Sequence, residues 1–277
     1  MGFFKLCSGI FLLFCLVFFS GGTVRNVLAA EHAVSGLHVY LAKGKGAVTI
    51  LDDESYQNVF KGIFAAHHLI LDTDSGADSF LGRLFAADMV YLSMHSNPNL
   101  LQVGNGEHVY VADVSRRFRE VGHGPGLIIV VGCKTLGNPD NNLARALRIE
   151  PGDRGRAYIG FSTVTPGLFC DRYFRVFLAA WFKEKTDKNY RTLEEARDFA
   201  RKFIEDRIEQ GNTGQGEVGK FAPLDAKVAG WFEIIGDRSL CLSDLQRSGT
   251  DSDPSPASEP EPGSSSAPGR REWRSAW

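Results

Sequence analysis

Short apolar runs rich in β-branched residues alternate along the chain with segments in which apolar residues recur every three or four positions. The runs that predict strands are 48–51, 68–71, 89–92, 127–131, 157–161, 231–235 and 239–242. The segments between them carry helical spacing, as in 55–64, in the stripe around Phe80 and Leu84, and from Phe169 to Trp181. Strands that alternate with helices are typical of a mostly parallel sheet covered on both faces. We therefore predict an α/β fold, a three-layer α/β/α sandwich.

Two of these predicted strands are followed by residues that could be catalytic, a cysteine and a histidine. The run 127–131 is apolar throughout, as a strand buried on both faces must be, and it leads into Cys133. The run 89–92 leads into His95. Reactive groups in open α/β sheets gather outside the carboxyl ends of the strands. With one helical crossover between the strands, a spacing of about 5 Å would bring the two side chains together. A helix starting after Cys133 is also expected, and its dipole would favour the thiolate.

Both ends of the chain differ in composition from the middle. Residues 1–30 have one lysine, an apolar stretch and small residues at the end, which predicts a signal peptide that directs export. An uncleaved N-terminal anchor is the alternative, and only then would a membrane be a partner. Residues 246–277 are rich in Ser, Pro, Asp, Glu and Gly and predict a disordered tail. One domain is expected over 31–245.

Charge and cysteine content narrow the function classes. Lys plus Arg number 31 against 33 for Asp plus Glu, so the chain has no general positive field with which to hold a nucleic acid. Outside the leader stand Cys133, Cys170 and Cys241, an odd number without the spacing of a zinc site. At least one thiol is therefore free, and a bridge between Cys170 and Cys241 is left open. Adjacent His67 and His68 would point to opposite sides of a strand, which disfavours a metal site.

The order of the residues separates classes of cysteine hydrolase. All seven histidines precede Cys133 in the chain. Papain-like proteases and glutamine amidotransferases place the base after the nucleophile, so the order here argues against both. A histidine that comes first suits a caspase-like arrangement.

Several motifs then carry a family resemblance. The stretch 87–95, the segment 110–113 and the run 127–137 follow one another in an order that resembles the core of caspase-like (clan CD) cysteine peptidases, nearest the CHAT and clostripain-related branches. The later segments 157–161, 192–196 and 235–240 continue the succession, so the resemblance spans roughly 48–242. It implies a caspase-like fold and proteolysis of a peptide or protein, with no organic cofactor and no metal.

The resemblance assigns roles to three residues. His95 would be the general base and Cys133 the nucleophile that forms a thioester acyl-enzyme. The backbone N–H groups of Cys133 and Ser96 would hold the oxyanion. The family usually has glycine after the histidine, and Ser96 restricts the backbone more than glycine would. A catalytically silent domain that binds a peptide or protein is therefore an alternative, and a plain α/β binding domain is a third.

Substrate preference is a separate question. Relatives that cleave after Arg or Lys often carry an acidic residue two positions before the cysteine, where this chain has Val131. Three carboxylates around the end of the second predicted strand are the candidates to supply negative charge to a primary pocket: Asp72, Asp74 and Asp78.

Overall fold

The structure is a computed structural model that describes residues 36–186, 189–214 and 220–245. The predicted leader 1–30 and the predicted tail 246–277 lie outside the described residues. Both therefore stay predictions. In the described ranges, no helix combines the length and the apolar character that crossing a bilayer requires.

Strands and helices alternate over most of the described chain. The strands are β1 (His38–Lys43), β2 (His68–Asp72), β3 (Met89–Ser93), β4 (Ser96–Asn97), β5 (Leu100–Gln102), β6 (His108–Tyr110), β7 (Leu127–Val131), β8 (Ala157–Phe161), β9 (Glu184–Thr186), β10 (Asn189–Tyr190) and β11 (Phe232–Gly236). The helices are α1 (Glu54–Ile63), α2 (Ala77–Ala86), α3 (Val111–Val121), α4 (Leu143–Ala146), α5 (Gly167–Phe182), α6 (Leu193–Glu209) and α7 (Pro223–Lys227).

Six strands form the central sheet in the order β11-β8-β7-β3-β1-β2. All neighbours are parallel except β11, which runs antiparallel to β8 at one edge. Every residue of β3, β7 and β8 is buried, because helices cover both faces of the sheet there. The mostly parallel sheet expected from the sequence is thereby confirmed.

Side-chain alternation along the strands divides the core into two halves. Met89 and Tyr91 of β3 pack on one face with α1, α5 and α6, whereas Val90 and Leu92 pack on the other with α2, α3 and α4. Successive residues of a strand point to opposite faces, so one apolar strand can serve both halves. The fold is the predicted three-layer α/β/α sandwich.

Two predicted strands are wrong. The run 48–51 is not a strand, because the Thr49 hydroxyl accepts the N–H of Leu51 and caps a 3₁₀ turn over Ile50–Asp52. The first strand is instead β1, in which four buried residues lie between a polar residue at each end. The run 239–242 is also not a strand, since the Asp237 carboxylate accepts both the N–H and the hydroxyl of Ser239 and turns the chain.

Candidate functional site

His95 and Cys133 lie just beyond the carboxyl ends of two neighbouring strands. β3 pairs with β7 in parallel, and the last paired residues are Ser93 and Val131. One residue further on, the N–H of Met94 donates to the carbonyl of Val131 at 3.0 Å, which holds the two chains together past the strand ends. Each candidate residue stands two positions beyond its paired residue. The expected adjacency of the two strands is thus present.

The sulfur of Cys133 faces the α5 side of the sheet. Its Sγ lies 4.0 Å from both the carbonyl and the hydroxyl oxygen of Thr165, in the loop that leads into α5. Cys133 is partly exposed and His95 is exposed, so solvent reaches both. No hydrogen bond joins the His95 imidazole to Cys133 Sγ in the described structure. Catalytic hydrogen bonds of this kind are often long without substrate and shorten when it binds.

The backbone N–H groups of Cys133 and Ser96 are the expected oxyanion donors. No residue in the described ranges accepts the N–H of Cys133, although Lys134 and Leu136 donate theirs to Thr163 and Phe161. In the β4–β5 hairpin, the N–H of Gln102 donates to the carbonyl of His95 at 2.9 Å. Hydrogen-bonded and non-bonded pairs alternate in an antiparallel ladder, so the N–H of the next residue, Ser96, faces away from β5.

Ser96, which stands where the family that the sequence resembles has glycine, makes two contacts next to Cys133. The Ser96 hydroxyl donates to the carbonyl of Cys133 at 3.0 Å. It also fills the space beside Gly132, where an added Cβ would overlap Ser96 Oγ and come within 2.9 Å of the Met94 carbonyl. The described non-glycine residues with positive φ are Lys134 and Arg148, so the backbone at Ser96 does not need glycine. Ser96 and Gly132 are matched in size.

The expected helix after Cys133 is absent, so the helix dipole does not favour the thiolate. A turn follows instead, with Lys134 at a φ of 54° and the N–H of Gly137 donating to the Lys134 carbonyl at 2.8 Å. The next helix, α4, begins only at Leu143. The reason is that a right-handed helix requires a negative φ, which Lys134 does not have.

A buried carboxylate beneath the site was missed by the sequence reasoning. Asp171 of α5 is fully buried and accepts hydrogen bonds from the Tyr91 hydroxyl at 2.5 Å, the Ser93 hydroxyl at 3.0 Å and the N–H of Ile50 at 3.2 Å. Burial raises the pKa of Asp171 to about 6 against the opposing effect of these hydrogen bonds. The one sequence signal was an acidic residue inside an otherwise apolar helical stripe.

Asp72, Asp74 and Asp78 were predicted to supply charge to a primary pocket, and the structure shows Asp72 engaged within the fold. Asp72 ends β2, and β1 lies between β2 and the strand that carries His95. Its buried carboxylate accepts hydrogen bonds from the Tyr40 hydroxyl at 2.7 Å and from Arg83 at 2.5 Å. Although burial alone would raise it, these bonds and those from Ser75 hold the pKa of Asp72 below its ordinary value. The charge of Asp72 is therefore neutralised by Arg83 within the fold. Asp74 and Asp78 come after it in the chain and are exposed.

The other thiols take no part in the site. Cys133, Cys170 and Cys241 are all free, so the bridge between Cys170 and Cys241 is not formed. Burial raises the pKa of the Cys170 thiol well above its ordinary range. In the part of the chain that the structure describes, no group of three or more His, Cys, Asp or Glu side chains is arranged to hold a metal ion.

Comparisons with known proteins rest on structure alone. No family model matches the chain, and no curated protein matches its sequence. Among solved structures, it is similar to the Arg-specific cysteine proteinase gingipain R (RGPB), with 13% identity, a TM-score of 0.49, and coverage of 75% of this chain and 47% of that one. A complex of Porphyromonas gingivalis RgpB pro- and mature domains is similar with 11% identity, a TM-score of 0.50, and coverage of 75% of this chain and 48% of that one. A structure of a protease is similar with 10% identity, a TM-score of 0.51, and coverage of 74% of this chain and 48% of that one.

The two neighbours with TM-scores of 0.50 and 0.51 share the fold of this chain. The chain spans about half the length of the structures that it matches. RgpB is a clan CD cysteine peptidase, so the caspase-like fold class expected from the resemblance is confirmed. At identities this low, the similarity concerns the fold and does not distinguish the CHAT or clostripain-related branches.

Proposed function

We propose that the chain is a clan CD cysteine peptidase in which Cys133 is the nucleophile and His95 the general base. One observation carries the proposal. A partly exposed thiol and an exposed imidazole follow two paired parallel strands, and the thiol stands beside its own unpaired backbone N–H. A thiol, a base and an oxyanion donor at one sheet end are the parts that acyl transfer requires.

The reaction would proceed in two steps. His95 accepts the thiol proton, and Sγ of Cys133 attacks the carbonyl carbon of an amide, whose oxygen takes the negative charge near the N–H groups of Cys133 and Ser96. The C–N bond breaks, and the imidazolium returns its proton to the leaving amine. Water then attacks the thioester with His95 as base, which releases the acid and restores the thiol.

Export and partners complete the proposal. Residues 1–30 would direct the protein to the periplasm, the cell envelope or the outside, where a peptide or protein would be its substrate. Assignment to the CHAT or clostripain-related branch rests on the motif order in 87–137. The chemistry needs no organic cofactor.

A catalytically silent domain that binds peptides is the second candidate. Serine stands where the family has glycine, and no hydrogen bond joins the His95 imidazole to the Cys133 sulfur among the described residues. A groove that binds a peptide without cleaving it would show the same two features. The two candidates differ in whether the reactivity of Cys133 depends on His95.

A thiol-directed peptidyl acyl probe separates them on the full chain. We expect labelling at Cys133, found by peptide mapping, with a rate that falls by about 10²–10⁴ in His95→Ala because the general base is lost. Cys133→Ser should abolish labelling and leave the melting temperature nearly unchanged, since Sγ makes only 4.0 Å contacts with Thr165. Cys241→Ser is the matched control. Equal labelling of wild type and His95→Ala would favour the binding domain.

A further inference from the structure

Two of the most exposed aliphatic side chains lie on loops that flank the candidate nucleophile. Val48 is 71% exposed and Val164 is 68% exposed. Val164 directly precedes Thr165, whose carbonyl and hydroxyl oxygens lie 4.0 Å from Cys133 Sγ. The Val48 carbonyl is 2.9 Å from where a Cβ on Gly167 would stand, two residues after Thr165. The two valines therefore stand on adjoining loops beside the thiol.

Hydrogen bonds made by the two residues after Val48 hold its loop in place. The N–H of the second residue after it, Ile50, donates to the buried carboxylate of Asp171 at 3.2 Å. The residue between them, Thr49, is buried, and its hydroxyl accepts the N–H of Leu51 at 3.1 Å. An isolated exposed valine needs no explanation. Here a fixed backbone presents one toward solvent at the edge of the site.

Three carboxylates on these segments have partners within the fold, and a fourth, Glu54 at the start of α1, is exposed. Asp52 is paired with Lys43, and Asp53 accepts the N–H of Ser55 at 2.8 Å at the start of α1. Asp171 is fully buried among its donors. The residue after the nucleophile, Lys134, is an exposed cation. Beside the thiol itself, a positively charged substrate side chain would face the exposed cation of Lys134, while the carboxylates of Asp52 and Asp171 are already paired or buried.

We propose that Val48 and Val164 are the walls of the primary substrate pocket, and that this pocket takes an uncharged aliphatic side chain on the acyl side of the cleaved bond. The proposal rests on the proposed function, because it assumes that Cys133 attacks that bond. Burying an aliphatic group between two aliphatic walls removes apolar surface from water, whereas a charged group there would lose hydration without a partner.

Three peptidyl acyl probes that differ only in the side chain next to the reactive carbonyl test this on the full chain. With leucine, arginine and aspartate in that position, we expect the leucine probe to label Cys133 at least about tenfold faster than the other two. Val48→Asp should move the preference toward arginine, and Val48→Lys should move it toward aspartate. Val164→Asp should act in the same direction as Val48→Asp.

The control is Ile70→Asp, an equally apolar-to-acidic change at a residue that is 44% exposed on β2, with β1 between it and the strand of His95. It should leave the probe order unchanged. Melting curves check that the Val48 and Val164 variants fold, as their exposure leads us to expect. An arginine or aspartate probe as fast as leucine in the wild type, or variants that behave as Ile70→Asp, would overturn the pocket. If no probe labels Cys133 in a His95-dependent way, the proposed function itself fails and the pocket falls with it.

Discussion

Replacement of Gly132 by alanine tests how closely the backbone before the nucleophile is fitted to Ser96. The added Cβ would overlap Ser96 Oγ, lie 3.1 Å from Ser96 Cβ and lie 2.9 Å from the carbonyl oxygen of Met94. Ser96 cannot simply rotate away without cost, because its hydroxyl donates to the carbonyl of Cys133 at 3.0 Å. The alanine methyl therefore forces either a backbone shift at Cys133 or the loss of that hydrogen bond.

The expected loss of stability combines two effects. Overpacking by one methyl group costs about 1–3 kcal/mol, and a lost hydrogen bond adds about 0.5–1.5 kcal/mol. For a domain of this size, each kcal/mol lowers the melting temperature by about 2–4 °C. Ser96→Gly in the same chain removes the two contacts with Ser96 and leaves the one with Met94. The double variant should therefore recover part of the loss, with a coupling energy of about 0.5–3 kcal/mol.

Denaturant unfolding of four proteins measures this coupling: wild type, Gly132→Ala, Ser96→Gly and the double variant. Gly82→Ala is the matched control, since that glycine lies in α2 with nothing within 4 Å of an added Cβ. It should be neutral or slightly stabilising, because alanine favours a helix over glycine. Additive free energies of unfolding in the double variant would refute the close fit of Ser96 against Gly132.

Three further changes test the interior. The pKa of Asp171 is raised to about 6 by burial, so the contribution of Asp171 to stability falls as the pH rises from about 4 through 6. When the free energy of unfolding is measured against pH, Asp171→Asn should have a flatter curve than the wild type over this range. An unchanged slope would contradict this prediction. Asp225→Asn removes the buried carboxylate that lies 2.9 Å from the guanidinium of Arg172 and should cost about 3–5 kcal/mol in urea unfolding. Thr192→Ala removes the cap of α6 and should cost about 0.5–2 kcal/mol, whereas Thr192→Ser should retain most of it.

Strands buried on both faces could be predicted from the sequence, and the segments at their ends could not. The runs that became β3, β7 and β8 are apolar throughout, because each of their residues packs against a helix layer. The run 48–51 is also β-branched and apolar except for Thr49, yet Ile50 and Leu51 are buried in a turn that Thr49 caps. Burial alone therefore does not distinguish a strand from a buried turn, and hydrogen-bond partners decide between them.

The same limit applies to the site. His95 and Cys133 could be paired from the sequence because neighbouring parallel strands end at one edge of the sheet. Asp171 could not be found that way, since Ser93 and Ile50 stand 78 and 121 residues before it in the chain. The partners of Asp72 could not be found that way either, because Tyr40 and Arg83 come from other elements. Long-range polar contacts leave no periodic pattern in a sequence.

The backbone hydrogen bonds around Cys133 support the proposed peptidase more than the silent binding domain. After Cys133 the chain runs close to the end of β8, and Lys134 and Leu136 both donate their N–H groups to carbonyls there. The N–H of Cys133 finds no acceptor among the described residues, although its own carbonyl is held by Ser96. A backbone N–H without an acceptor, such as that of Cys133, does not stabilise the fold. Such a donor would be of use to a developing oxyanion, and the hydrogen bond from Ser96 restrains the next peptide group, between Cys133 and Lys134.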